Sequence, residues 1–79
     1  MKEEIIELLE EALPIVNLDS DFLFSELDSL GVTTILMVLS EEYGIDLQAC
    51  DATPKNFKSL DNIVAMVENK LKEKSNDAN

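Results

Sequence analysis

Nothing in this chain can staple it. Its 79 residues include one cysteine, Cys50, and no histidine, so neither a disulfide within the chain nor a Cys/His zinc site can hold the fold together. At this size a single apolar core has to suffice, and the fold must be economical. Cys50 is also a poor nucleophile, because Asp46 and Asp51 lie close in sequence and oppose thiolate formation. It reads as a buried or half-buried small residue.

Charge narrows the field next. The net charge is -11 with no arginine, and of the six lysines only Lys2 precedes Lys55. Between those two lysines run thirteen carboxylates, from Glu3 to Asp51. Such a surface repels nucleic acid and anionic membrane. It suits partners with basic docking patches, met quickly and released easily. The start of the chain, MKEEIIELLE, breaks its apolar residues with glutamates and is neither a signal nor a transit peptide. No apolar run approaches the ~20 residues of a membrane span. The expectation is a monomeric, cytoplasmic protein.

Four segments carry helical periodicity and none alternates like a strand. Ile5, Leu8, Leu9, Ala12 and Leu13 form one stripe, predicting a helix over Lys2 to Leu13 that Pro14 ends. Residues 14 to 28 make a long connection, with Phe22, Phe24 and Leu27 available to pin it. Asp19 and Asp21 do not make it a calcium loop, because the fifth, sixth and twelfth positions would be Leu23, Phe24 and Leu30. The second helix is predicted from Ser29 to Tyr43, with Asp28 or Ser29 as cap and Gly44 as a left-handed exit. Its core stripe is Val32, Ile35, Leu36, Leu39 and Tyr43. Leu30, Thr33, Thr34 and Met37 form a second face, which so small a domain cannot easily bury as well. Thr53 and Pro54 open a short third helix, and Ser59 caps a last one striped by Leu60, Ile63, Val64, Val67 and Leu71. These elements predict an all-α bundle of three main helices and one short one, occupying residues 1–74, with a disordered tail over 75–79.

The residues do not compose an active site. A catalytic serine lacks its usual base, paired carboxylates fall on solvated helix faces, and no metal set is present, so the chain is not expected to be an enzyme. One serine nevertheless stands out by position. Asp28-Ser29-Leu30 closes a long loop and opens a helix, where unpaired backbone N–H groups point outward and an esterified phosphate would be favoured.

From Phe22 onward the sequence resembles the acyl carrier protein family, including its stand-alone peptidyl and D-alanyl relatives. The matching residues are Leu23, Phe24 and Leu27, then Asp28-Ser29-Leu30, then the run from Ile35 to Ile45, and finally Phe57, Leu60, Ile63, Val64 and Val67. The resemblance implies a four-helix acyl-carrier-like bundle. It further implies a covalent 4'-phosphopantetheine, transferred to Ser29 from coenzyme A by a phosphopantetheinyl transferase and carrying acyl or aminoacyl groups as thioesters. Asp28 would support the motif that the transferase reads, and Leu30, Met37, Glu41 and Phe57 would face partners. Those partners would include a loading ligase or synthetase and downstream biosynthetic enzymes, in fatty acid and lipid metabolism or in a dedicated pathway. Carriers of fatty acid synthesis usually have acidic residues two and five places after the serine, where this chain has Gly31 and Thr34. That difference leans toward carriers that handle amino acids or serve dedicated pathways. The alternative expectation is an acidic helical adaptor that binds a basic partner without any prosthetic group.

Overall fold

A computed structural model describes the backbone of residues 1–77 and the side chains of residues 1–74. Three α-helices, α1 (Lys2–Ala12), α2 (Ser29–Tyr43) and α3 (Leu60–Asp77), are joined by segments that contain 3-10 turns at Leu23–Glu26 and Ala49–Asp51. No strand occurs among the described residues, and the all-α bundle expected from the sequence is the one observed. Of the disordered tail expected over 75–79, residues 75–77 fall within α3 and 78–79 lie outside the described residues.

Each helix starts and stops for a local reason. Glu3 and Glu4 occupy the first turn of α1, where the partial positive charge of the dipole favours them. Ile5 and Leu9 are the residues it buries completely. At the head of α2 the Asp28 carboxylate accepts a hydrogen bond from Gly31 N at 2.7 Å, so Asp28 is the cap and Ser29 is the first helical residue. At its tail Gly44 turns left-handed with φ 61°, a region that costs glycine nothing. Lys74 then donates to the Gly44 carbonyl at 2.6 Å, placing a cation where the chain's own peptide dipoles leave negative charge.

The short third helix shrinks to one turn. Phe57 N donates to Thr53 O at 3.0 Å and Asn56 N to the Thr53 hydroxyl, also at 3.0 Å. Two residues later Ser59 engages Asn62, its hydroxyl donating to Oδ1 at 2.6 Å, and α3 begins. Between one cap and the next there is no room for a second turn, and short helices gain little on their own.

The interior is filled by Ile5, Leu9, Leu23, Ile35, Leu39, Phe57, Ile63 and Val67, all fully buried. Three expectations change here. Phe57 is a core residue, not a partner contact. Phe22, expected to pin the long connection, is 65% exposed, and Leu23 takes that role instead. The cause is a backbone bond from Leu23 N to Lys58 O at 2.7 Å, which seats the connection on the single turn and fixes which side chain faces inward. Cys50, finally, is exposed.

Two groups at the far end of the bundle give the fold an alkaline limit. The Tyr43 hydroxyl is buried and has no hydrogen-bond partner among the described residues. Burial, reinforced by Glu4 and Glu42, holds its pKa above the ordinary value. For Lys70 burial acts to lower the pKa, but the hydrogen bond and charge of Asp51, followed by Glu73 and Cys50, outweigh it and the net shift is upward. A group whose pKa is higher folded than unfolded stabilises fully below the unfolded value, and that contribution is lost as pH rises through the folded one. The Lys70 contribution is therefore whole at pH 7 and is lost above about pH 10, and over the same range ionisation of Tyr43, which adds nothing to stability at pH 7, costs the fold. Tyr43→Phe is expected to leave the thermal midpoint at pH 7 unchanged or slightly higher, because it removes an unpaired buried oxygen. It should also soften the alkaline fall. A clearly lower midpoint at pH 7 would mean that the hydroxyl has a partner after all.

Candidate functional site

The head of α2 gathers the residues singled out in the sequence. Ser29 is exposed. Of the serines with described side chains, it alone has an unengaged hydroxyl. Ser20 Oγ accepts from Phe22 N, Ser25 donates to Phe22 O, Ser40 Oγ accepts from Leu47 N, and Ser59 donates to Asn62. The Asp28 side chain is turned into the helix to hold Gly31 N, and the Asp28 carbonyl accepts from Val32 N at 3.0 Å. The N–H groups of Ser29 and Leu30 thus remain without a partner among the described residues, beside the free hydroxyl.

Gly31 explains why this geometry closes so tightly. A Cβ there would stand 3.3 Å from Asp28 Oδ1 and 3.4 Å from Leu27 Cδ2. An acidic side chain at this place would crowd a carboxylate already committed to the cap, so the glycine suits the way residues 27 and 28 lie against the helix.

Down the exposed face, Leu30 is 74% and Met37 55% exposed, and Glu41 is exposed as well. Between them Thr33 donates to Ser29 O at 2.9 Å and Thr34 to Leu30 O at 2.8 Å. Both hydroxyls are spent on the helix itself, a habit of threonine within helices. The face is accordingly more apolar than its sequence suggests. Leu30, Met37 and Glu41 lie where the sequence placed them, whereas Phe57 is elsewhere.

Two clefts flank the serine, and the sequence signalled neither. One, of about 370 Å³, is lined by Phe24, Leu27, Val32, Thr33, Ala49 and Ala52 together with Asp28 and Ser29. The other, of about 380 Å³, runs between the end of α1 and the head of α2, past Leu13, Val16, Leu27, Leu30 and Thr34. Most of these residues sit in connections, where no period marks an inward face. Among the described residues no cluster of His, Cys, Asp or Glu could hold a metal ion, and no helix is long and apolar enough to cross a membrane.

A small acidic helical bundle that offers one free hydroxyl at the positive end of its central helix is built to carry something, and the comparisons say what. The family model described as phosphopantetheine attachment site matches residues 1–69, so the chain belongs to that family, which is the family of the acyl carrier proteins. No curated protein and no solved structure gives a significant match. The prosthetic group is covalent 4'-phosphopantetheine, and the chain is a carrier of it. The adaptor without a prosthetic group is set aside. Carriers of this kind meet a phosphopantetheinyl transferase and biosynthetic enzymes.

The head of α2 fits the group. It provides a reachable oxygen, two unpaired N–H groups for a phosphate oxygen, and the positive end of a helix of 15 residues.

Proposed function

We propose that Ser29 is the attachment residue and that the chain presents acyl or aminoacyl thioesters to biosynthetic enzymes. The observation that carries this is the hydroxyl of Ser29, exposed and unengaged while the other described serine hydroxyls are tied into the fold. In the loading step Ser29 Oγ gives up its proton to the transferase and bonds to the phosphorus that coenzyme A presents. The bond from that phosphorus to the nucleotide half breaks, and the nucleotide leaves with the electron pair. Asp28 keeps the helix start closed around Gly31 N, which holds Ser29 outward. When bound, the arm supplies a terminal thiol for thioester chemistry. The protein adds proximity, because a tethered cargo is at high local concentration for whichever enzyme has docked.

The test is intact-mass measurement after incubation with coenzyme A, magnesium and a broad-specificity transferase, followed by fragmentation. The expected result is a gain of one phosphopantetheine group within the peptide around Asp28-Ser29-Leu30. Modification at another residue would remove Ser29 from its role.

Leu30, Met37 and Glu41 form the docking face in this reading. Met37→Glu is expected to leave the thermal midpoint within about 4 °C of wild type, since an exposed side chain contributes little to the core. The kcat/KM for modification is expected to fall roughly tenfold, the effect of losing one well-placed apolar contact. An unchanged rate would move the docking face elsewhere.

A further inference from the structure

We infer that Lys70, far along the chain from the serine, is a positioning residue for its loading: by pairing with Asp51 it fixes the turn that walls one side of the cleft beside Ser29. The inference rests on Ser29 as the attachment residue.

The wall is made by Ala49 and Ala52, which line the cleft of about 370 Å³ together with Ser29, Val32 and Thr33. An alanine offers only a methyl group, so this wall is mostly backbone and its place is set by whatever holds the turn. Apolar packing does so only from a distance. Leu47 before it and Phe57 after it are buried, but the turn Ala49–Asp51 buries none of its own residues.

Asp51 gathers the turn instead. Its Oδ2 accepts from Gln48 N at 2.8 Å, and its carbonyl accepts from Thr53 N at 3.0 Å and from Asn56 Nδ2 at 2.9 Å. These bonds shape the connection from within and tie it to no helix. The other carboxylate oxygen, Oδ1, meets Lys70 Nζ of α3 at 3.3 Å, with the Asp51 side chain 18% and the Lys70 side chain 27% exposed. Among the described residues it is the only ion pair between a connection and a helix, and partial burial screens it less than a pair on the open surface.

Ser29 itself is placed by α2 and the Asp28 cap, which Lys70 leaves untouched. An enzyme that brings coenzyme A to the hydroxyl on this side meets the turn as well. A turn already in place need not be ordered on contact. Without Lys70 that ordering falls on docking and not on the chemical step, which raises KM and leaves kcat alone.

The experiment measures initial rates of modification by a broad-specificity transferase with coenzyme A, for wild type, Lys70→Met, Lys70→Arg and Lys72→Met, after fragmentation has identified the modified residue. Methionine keeps the apolar stem of Lys70 and removes the ammonium, and the thermal midpoint is expected to stay within about 4 °C of wild type because a single part-exposed ion pair adds little to global stability. In Lys70→Met the KM for the carrier is expected to rise about fivefold with kcat within about twofold of wild type. Amide chemical shifts should change at Ala49 and Ala52. Lys70→Arg restores the pair and should restore KM, and Lys72→Met, on an exposed position of the same helix, should leave KM as it is. Lost charge cannot imitate the effect, since a more acidic carrier would be drawn more strongly to a basic enzyme and show a lower KM. Modification elsewhere than at Ser29 would remove the premise and the inference with it. With Ser29 modified, an unchanged KM in Lys70→Met, a fall confined to kcat, or no recovery in Lys70→Arg would overturn the role of Lys70 alone.

Discussion

Ser29→Ala is expected to lose phosphopantetheine uptake altogether while keeping the fold. The helix does not depend on this residue for its start. Asp28 supplies the capping carboxylate, which accepts a hydrogen bond from Gly31 N at 2.7 Å, and alanine is an excellent residue in a first turn. The thermal midpoint of the variant should therefore stay within about 4 °C of wild type, as for other surface substitutions away from caps and core. Ser25→Ala provides the contrast. Its hydroxyl is exposed in sequence proximity to the motif but donates to Phe22 O at 2.7 Å, so its loss should leave loading intact. Uptake by Ser29→Ala equal to that of wild type would end the attachment proposal, whatever the fold shows.

Phe57→Ala is expected to be the most destabilising single change. Truncating a fully buried phenylalanine removes about 3–5 kcal/mol. A domain of 79 residues has only about 4–12 kcal/mol in all, at roughly 0.05–0.15 kcal/mol per residue. At about 4–8 °C per kcal/mol the midpoint falls by at least about 12 °C. The loss is large here because the ring serves two neighbours. It is part of the buried core, and it packs edge to face against Phe24 of the long connection. Thermal unfolding followed by circular dichroism checks this, and a fall of less than about 4 °C would place the ring outside the core.

The same residue shows where the sequence stopped being informative. Inside the helices a period of 3.6 says which side faces in, and so Ile5, Leu9, Ile35, Leu39, Ile63 and Val67 were legible as core. The ends were legible too. Asp28 and Gly44 bracket α2 at the residues where the structure begins and ends it, because capping and left-handed exit are local chemistry. Phe57, Phe22 and Cys50 lie in connections, where neighbours in sequence point in unrelated directions. There the outcome was set by partners far along the chain, such as Lys58 O taking Leu23 N. Ser29 was legible as a position and Leu30 and Met37 as a surplus face. The clefts around them were not, since they are made by Val16 and Phe24 from one connection and Ala49 from the other.

One structural detail reaches further than stability. Lys74 meets the negative tail of α2 and the Asp28 carboxylate its positive head, the latter through a single bond from Gly31 N that leaves the N–H groups of Ser29 and Leu30 open. An arm esterified at Ser29 would bring a second negative charge to the front of this rod, beside the Asp28 carboxylate. An enzyme could then tell a charged carrier from a blank one by the field at the rod's front, before inspecting what hangs from it.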